Sequence, residues 1–207
     1  GQVGSLAPAE IASAVVRRYG KDKTFSVPIL MHCTICGTMG ENAWAGVLPL
    51  PFELAAFPRT WFGALGLPVV SYALPALIAI GHARFHHAPP SVLNPLRWLR
   101  ASLWSRIRPM LKTLQPSSGG YLEATPLTSF VTMALASSGD REHPCVPGAI
   151  DFLQRSMRTD GSWPIDTNLA TWGTTLAIKA RPASFDAGLR TWLLSQQYKE
   201  VHPFTNA

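Results

Sequence analysis

One pattern occurs twice in this chain, 42 positions apart. Gln115-Pro-Ser-Ser-Gly119-Gly120-Tyr121, then Thr125-Pro-Leu127 and Phe130-Val-Thr132, returns as Met157-Arg-Thr-Asp160-Gly161-Ser162-Trp163, then Thr167-Asn-Leu169 and Trp172-Gly-Thr174. Gly119, Thr125, Leu127 and Thr132 each meet the same residue in the second copy, and Tyr121 and Phe130 each meet a tryptophan. A period of this length is the mark of stacked helical units. Each copy reads as a Gly-x-aromatic turn, a helix over roughly 125–137 or 167–180, a loop, and a further helix over 147–157 or 185–197. Strand signals are nearly absent, so the expected class is all-α, built from helical hairpins.

Upstream, residues 8–19 predict a helix ending at Gly20. A second helix is expected from about Thr24 to Cys36, with Pro28 in its first turn, where no N–H is needed. Gly37 to Gly46 reads as a loop, and the prolines of Leu48-Pro-Leu-Pro-Phe-Glu53 argue against a long helix. The 60–81 run carries no charge and by length could span a bilayer. Pro68, Pro75, Gly63 and Gly66 divide it instead into a segment around Trp61–Leu65 and a helix around Val69–Ile80, buried or dipping into lipid. His86 to Pro95 reads as a loop.

Apolar residues make up 47% of the 207, charged residues only 14%, against roughly 25% in an ordinary soluble domain. Such a chain buries most of itself or touches lipid. The net charge of +6 is concentrated where Arg97, Arg100, Arg106, Arg108 and Lys112 accompany Trp98 and Trp104. Val92, Leu96, Leu99, Leu103 and Ile107 give the 92–112 segment helical spacing. It reads as an amphipathic helix with a solvated basic face, lipid contact being the second reading. Nucleic acid is disfavoured, since no recognition motif accompanies the charge.

Three cysteines make no disulfide framework, which suits a reducing compartment. Cys33-Thr-Ile-Cys36 beside His32 could be a redox or metal pair, but its apolar setting favours buried packing. His82 and His86, spaced i, i+4, with His87 adjacent, read as a solvated or interfacial cluster. No serine lies in a nucleophile elbow and no phosphate loop occurs. A chain starting at Gly1 rather than Met and stopping mid-pattern at Ala207 is expected to be a piece of a longer protein.

Ala149-Ile-Asp-Phe-Leu153 with Asp160-Gly-Ser-Trp163 resembles the QW repeat of the squalene–hopene and oxidosqualene cyclases, in which a helix end carrying Gln faces a Gly-x-Trp turn. Gln115…Tyr121 resembles a second copy, and Trp192-Leu-Leu-Ser-Gln-Gln197 the start of a third. Leu50-Pro-Phe-Glu-Leu54 and Val70-Ser-Tyr-Ala-Leu-Pro-Ala-Leu-Ile-Ala-Ile80 resemble the passage from a Pro-Pro-Glu stretch into an apolar helix in the same family, and Arg18-Tyr-Gly…Phe25 the hairpin before it. The likeness extends over about residues 18–207, with departures at Met157, where the repeat has Gln, and at Tyr121, where it has Trp.

The resemblance implies an α/α-barrel (toroid) of the terpenoid cyclase/prenyltransferase kind, with 1–113 part of one barrel domain and 114–207 the start of a second. The implied activity is class II triterpene cyclisation in hopanoid-type terpenoid biosynthesis: protonation-initiated ring closure of squalene or a related polyprenoid, with no metal or organic cofactor. Tyr72, Thr167, Asn168, Leu169 and Trp172 fall where the family lines its cavity. Gln115, Gly119, Tyr121, Gly161 and Trp163 fall on the structural turns. No catalytic residue is carried over, because the Asp-x-Asp-Asp acid motif is missing: Asp22, Asp140, Asp151, Asp160, Asp166 and Asp186 stand apart. In the family that motif would follow a few residues past Ala207, so this piece is expected to be inactive alone. The implied setting is monotopic association with the cytoplasmic face of a membrane, and a homodimer is compatible with it. A non-catalytic helical-repeat scaffold and a protein prenyltransferase β-subunit-like protein, the latter needing an Asp/Cys/His zinc set, remain as alternatives.

Overall fold

A computed structural model of the chain describes residues 7–19, 23–58, 61–62, 73–197 and 199. Among these every regular element is helical, and the sole pairing of extended backbone is an antiparallel bridge between Ala124 and Asp166. The chain is all-α.

Among the described residues the α-helices are α1 (Pro8–Tyr19), α2 (Lys23–Ile35), α3 (Ala43–Gly46), α4 (Leu74–His87), α5 (Pro95–Ile107), α6 (Met110–Thr113), α7 (Thr125–Ser137), α8 (Val146–Ser156), α9 (Ala170–Ala180) and α10 (Ala187–Ser195). Short 3-10 turns occupy Phe52–Ala56, Tyr121–Glu123 and Pro182–Ser184. Proline opens several of the helices. Pro75, Pro95, Pro126 and Pro147 all lie in the first turn, where a missing N–H costs nothing. Asn94 caps α5 by accepting from the Leu96 N–H, and Asp186 caps α10 by accepting from Leu189.

Four expectations need correction. Pro28 is not at the start of its helix: α2 begins at Lys23, so Pro28 sits inside it on the buried face. A short helix, α3, interrupts the loop expected over 37–46. Pro75 starts α4 rather than breaking a helix, and α4 runs on to His87, taking in residues expected to form a loop. The expected basic helix over 92–112 is two pieces, α5 and α6, separated at Arg108 and Pro109. Gly20, Tyr72 and half of the 60–81 run (60 and 63–72) lie outside the described residues. No helix among the described residues is long and apolar enough to cross a membrane.

The core forms where α4 packs on α7 and on the Phe52–Ala56 turn, with α2, α5 and α8 closing its sides. Met31, Phe52, Ile78, Ile80, Ile107, Leu111, Tyr121, Val131 and Leu135 are fully enclosed there. This buried cluster runs continuously from Val27 to Val146, so residues on either side of position 113 share it. Gly81 allows the close approach: a side chain there would press on the Leu50 carbonyl and the Phe52 ring. By contrast α1, α9 and α10 bury no residue.

Candidate functional site

The two repeat copies meet through equivalent residues. Thr125 N–H donates to the Ile165 carbonyl (3.0 Å), and Thr167 N–H donates to the Glu123 carbonyl (2.8 Å), either side of the Ala124–Asp166 bridge. The Thr125 hydroxyl also donates to the Pro164 carbonyl, and Thr167 Oγ1 bonds Glu123 Oε2 (3.0 Å). The segments after each turn therefore lie side by side. Leu122 and Glu123 reach this pairing in the left-handed region (φ 55° each), which costs non-glycine residues of order 1–2 kcal/mol apiece.

The first turn is tightly held. Gln115 Nε2 donates to the carbonyls of Gly119 (2.9 Å) and Cys145 (2.8 Å), tying the turn to the start of α8. Gly119 has φ +90°, and a Cβ on it would run into the Gly148 carbonyl. Tyr121 is buried, its hydroxyl donating to the Leu111 carbonyl (2.7 Å). Burial pushes that phenol well above its ordinary range, so it remains a neutral donor. The second turn is looser. Gly161 (φ +79°) faces open space, Met157 is exposed, and half-exposed Trp163 reaches back with its indole N–H to the Leu153 carbonyl (2.7 Å). Met157 has no amide with which to hold the next helix, as Gln115 does.

Of the residues that the resemblance places around a cavity, Tyr72 lies outside the described residues. Thr167 is on the paired segment, and Asn168 accepts from the Ala170 N–H at the start of α9 (3.3 Å). Leu169 and Trp172 are exposed, and with Leu176 they form an uncovered apolar face along α9. A hollow of about 260 Å³ lies elsewhere, between Thr34, Asn42, Trp44 and His87. There His87 stacks on Trp44 (4.3 Å, 14°) and its Nε2 donates to the Ser137 carbonyl.

A second cluster was not foreseen. The His82 ring lies flat on Trp104 (centroids 3.5 Å apart, 4° between planes) and meets the edge of Phe52. Arg100, expected on a solvated basic face, is only 5% exposed. It grips both oxygens of Glu53 (2.9 and 3.1 Å), with its guanidinium 5.3 Å from the centre of the Phe52 ring. Nor is Arg108 free: it makes a two-pronged pair with Asp140 (2.7 and 2.6 Å), which holds that carboxyl below its usual range. The i, i+4 histidine cluster is not solvated at His82, which is buried and whose Nδ1 finds no partner among the described residues. Burial first, and the nearby His86 second, lower its pKa from 6.5 to about 4.

Between about pH 6.5 and 4 the unfolded chain accepts a proton at His82 that the folded chain refuses, so stability falls as pH falls through that window. His87 and His143, also lowered by burial, add to the loss. Urea midpoints across this range are expected to drop, with His82 alone contributing a slope approaching about 1.4 kcal/mol per pH unit. His82→Phe, which keeps a ring against Trp104 but cannot titrate, is expected to give a shallower slope. An unchanged slope would show that His82 titrates normally.

The cysteine pair also differs from expectation. α2 buries Val27, Met31 and Thr34, which leaves Cys33 half-buried and places Cys36, just past the helix end, in solvent. His32 Nε2 lies 3.7 Å from Cys36 Sγ. Cys145 is the buried cysteine, 3.0 Å from His143 Nδ1, with its thiol pushed up by burial. No group of three or more His, Cys, Asp or Glu side chains among the described residues gathers closely enough to hold a metal ion. In comparisons with protein-family models, curated protein sequences and solved structures, the chain matches none.

Proposed function

We propose that this chain is part of a squalene–hopene-cyclase-like class II triterpene cyclase, working on squalene or a similar polyprenoid at a membrane surface. In this reading it supplies the wall of the polyene cavity and not the acid. One observation carries the proposal: the two repeat copies pair through Thr125 and Thr167, beside the uncovered face of Leu169, Trp172 and Leu176. An isoprenoid chain offers methyl groups and π-bonds and no hydrogen-bonding atom, so an apolar helix face beside an indole suits it. Once water is excluded, such an indole stabilises a passing cation by roughly 0.5–2 kcal/mol.

A non-catalytic helical-repeat scaffold has its own supporting observation. The Glu123 carboxylate beside the pairing is occupied on both oxygens, Oε1 by Ser118 and Oε2 by Thr167. Both oxygens are thereby taken up in holding the first turn and the paired segment together. Two measurements decide. Purified chain incubated with squalene in detergent micelles is expected to yield no cyclic product by mass spectrometry, and a cyclic product would overturn the wall-only reading. Squalene binding, followed by tryptophan fluorescence, is expected, and Trp172→Ala is expected to weaken it several-fold. A chain that binds no polyene would leave only the scaffold.

A further inference from the structure

From Leu54 to Leu122 the chain has no aspartate or glutamate, yet it carries seven arginines and lysines there. Two of those cations are engaged by acids from outside the stretch, Arg100 by Glu53 and Arg108 by Asp140. Arg106 is on the exposed side of α5, in line with Leu99 one turn pair earlier. At the N-terminal end of α5 apolar side chains project into solvent: in the loop before it Leu93 is 90% exposed and Val92 57%, and in the helix itself Trp98 is 67% exposed.

The loop is also held in place. Trp98 Nε1–H donates to the Val92 carbonyl (2.9 Å), Arg97 Nη1 donates to the Pro90 carbonyl (3.2 Å), and Asn94 caps the helix. Trp98 thus has its one polar group satisfied inside the protein, and its ring can leave water without losing a hydrogen bond. An apolar tip that is rigid before binding loses little conformational entropy on docking.

We propose that the 91–106 segment is a membrane-docking wedge, in which Val92, Leu93 and Trp98 enter the acyl boundary of an anionic bilayer while Arg97 and Arg106 meet lipid phosphates. The wedge deepens the membrane part of the function proposed above and shares no residue with its polyprenoid wall. Charge selects the occupant. A second copy of the same surface would set arginine against arginine with no acid in the stretch to relieve it. A bilayer of anionic lipid supplies the missing charge and a soft phase that accepts a convex tip.

The test is co-sedimentation of the full chain with phosphatidylglycerol–phosphatidylcholine vesicles that contain no polyprenoid. Binding is expected, and is expected to weaken at high salt and on pure phosphatidylcholine. Leu93→Glu is expected to reduce it about tenfold or more without changing the melting temperature, since that side chain touches almost nothing. Val16→Glu, an exposed apolar position on α1, is expected to bind like the parent chain. Arg97→Gln with Arg106→Gln is expected to remove most of the salt dependence. The wedge is overturned if Leu93→Glu binds vesicles as the parent does. It is equally overturned if the parent binds none, or if the substitution changes only self-association or RNA binding. Failure on these vesicles leaves the squalene measurement standing, and the reverse also holds.

Discussion

Gly119→Ala is expected to lower the stability of this chain by roughly 2–4 kcal/mol, while Gly161→Ala, the same change one repeat later, costs about 1 kcal/mol. Both glycines have positive φ, +90° and +79°, so both substitutions carry the strain of a left-handed L-residue. They differ in what the added methyl meets. At Gly119 it falls on the backbone carbonyl of Gly148 in α8, and relief requires α8 to move away from the turn. That movement breaks the Gln115 bond to Cys145 and uncovers Phe152, whose ring lies against Gly120. At Gly161 the methyl meets nothing. Urea unfolding of the two variants gives the difference directly. Equal costs would mean that the first turn is no better packed than the second.

The repeat was legible because turns carry strong local chemistry, whereas partners far apart in sequence do not. The helix expected over 125–137 matches α7, and those expected over 147–157, 167–180 and 185–197 fall within three residues of α8, α9 and α10 at each end. Turn glycines, prolines in first turns and helical spacing suffice for that. Spacing could not say that Arg100 is buried, because burial depends on Glu53, which the fold brings from 47 positions away. Nor could it place His82: the residues that enclose it, Phe52 and Trp104, lie on different elements. Leu99 shows the same limit, an apolar residue at core spacing that faces solvent because the neighbours of α5 cover its other side. In the candidate site, Thr167 shows itself through the repeat, but Glu123 does not, since its counterpart in the second copy is Ile165.

Glu53→Ala is expected to destabilise the chain by about 3–5 kcal/mol, more than its lost contacts alone would suggest. The side chains of Arg100 and Glu53 are 6% and 10% exposed, and the pair joins the Phe52–Ala56 turn to α5. Removing the carboxylate leaves a guanidinium enclosed among Phe52 and the Leu50 carbonyl, with no opposite charge and little access to water. Arginine does not escape by losing its proton, so the fold must open to hydrate it. Replacing both members with apolar side chains, Glu53→Leu with Arg100→Met, removes the stranded charge and is expected to recover most of the loss. The double-mutant cycle therefore yields a large coupling between two residues whose joint deletion is mild. That outcome assigns the pair a role in fixing where the turn sits on α5, which keeps Phe52 against His82 and Trp104. A Glu53→Ala cost below about 1 kcal/mol, the range of an exposed ion pair, would instead show that Arg100 reaches solvent.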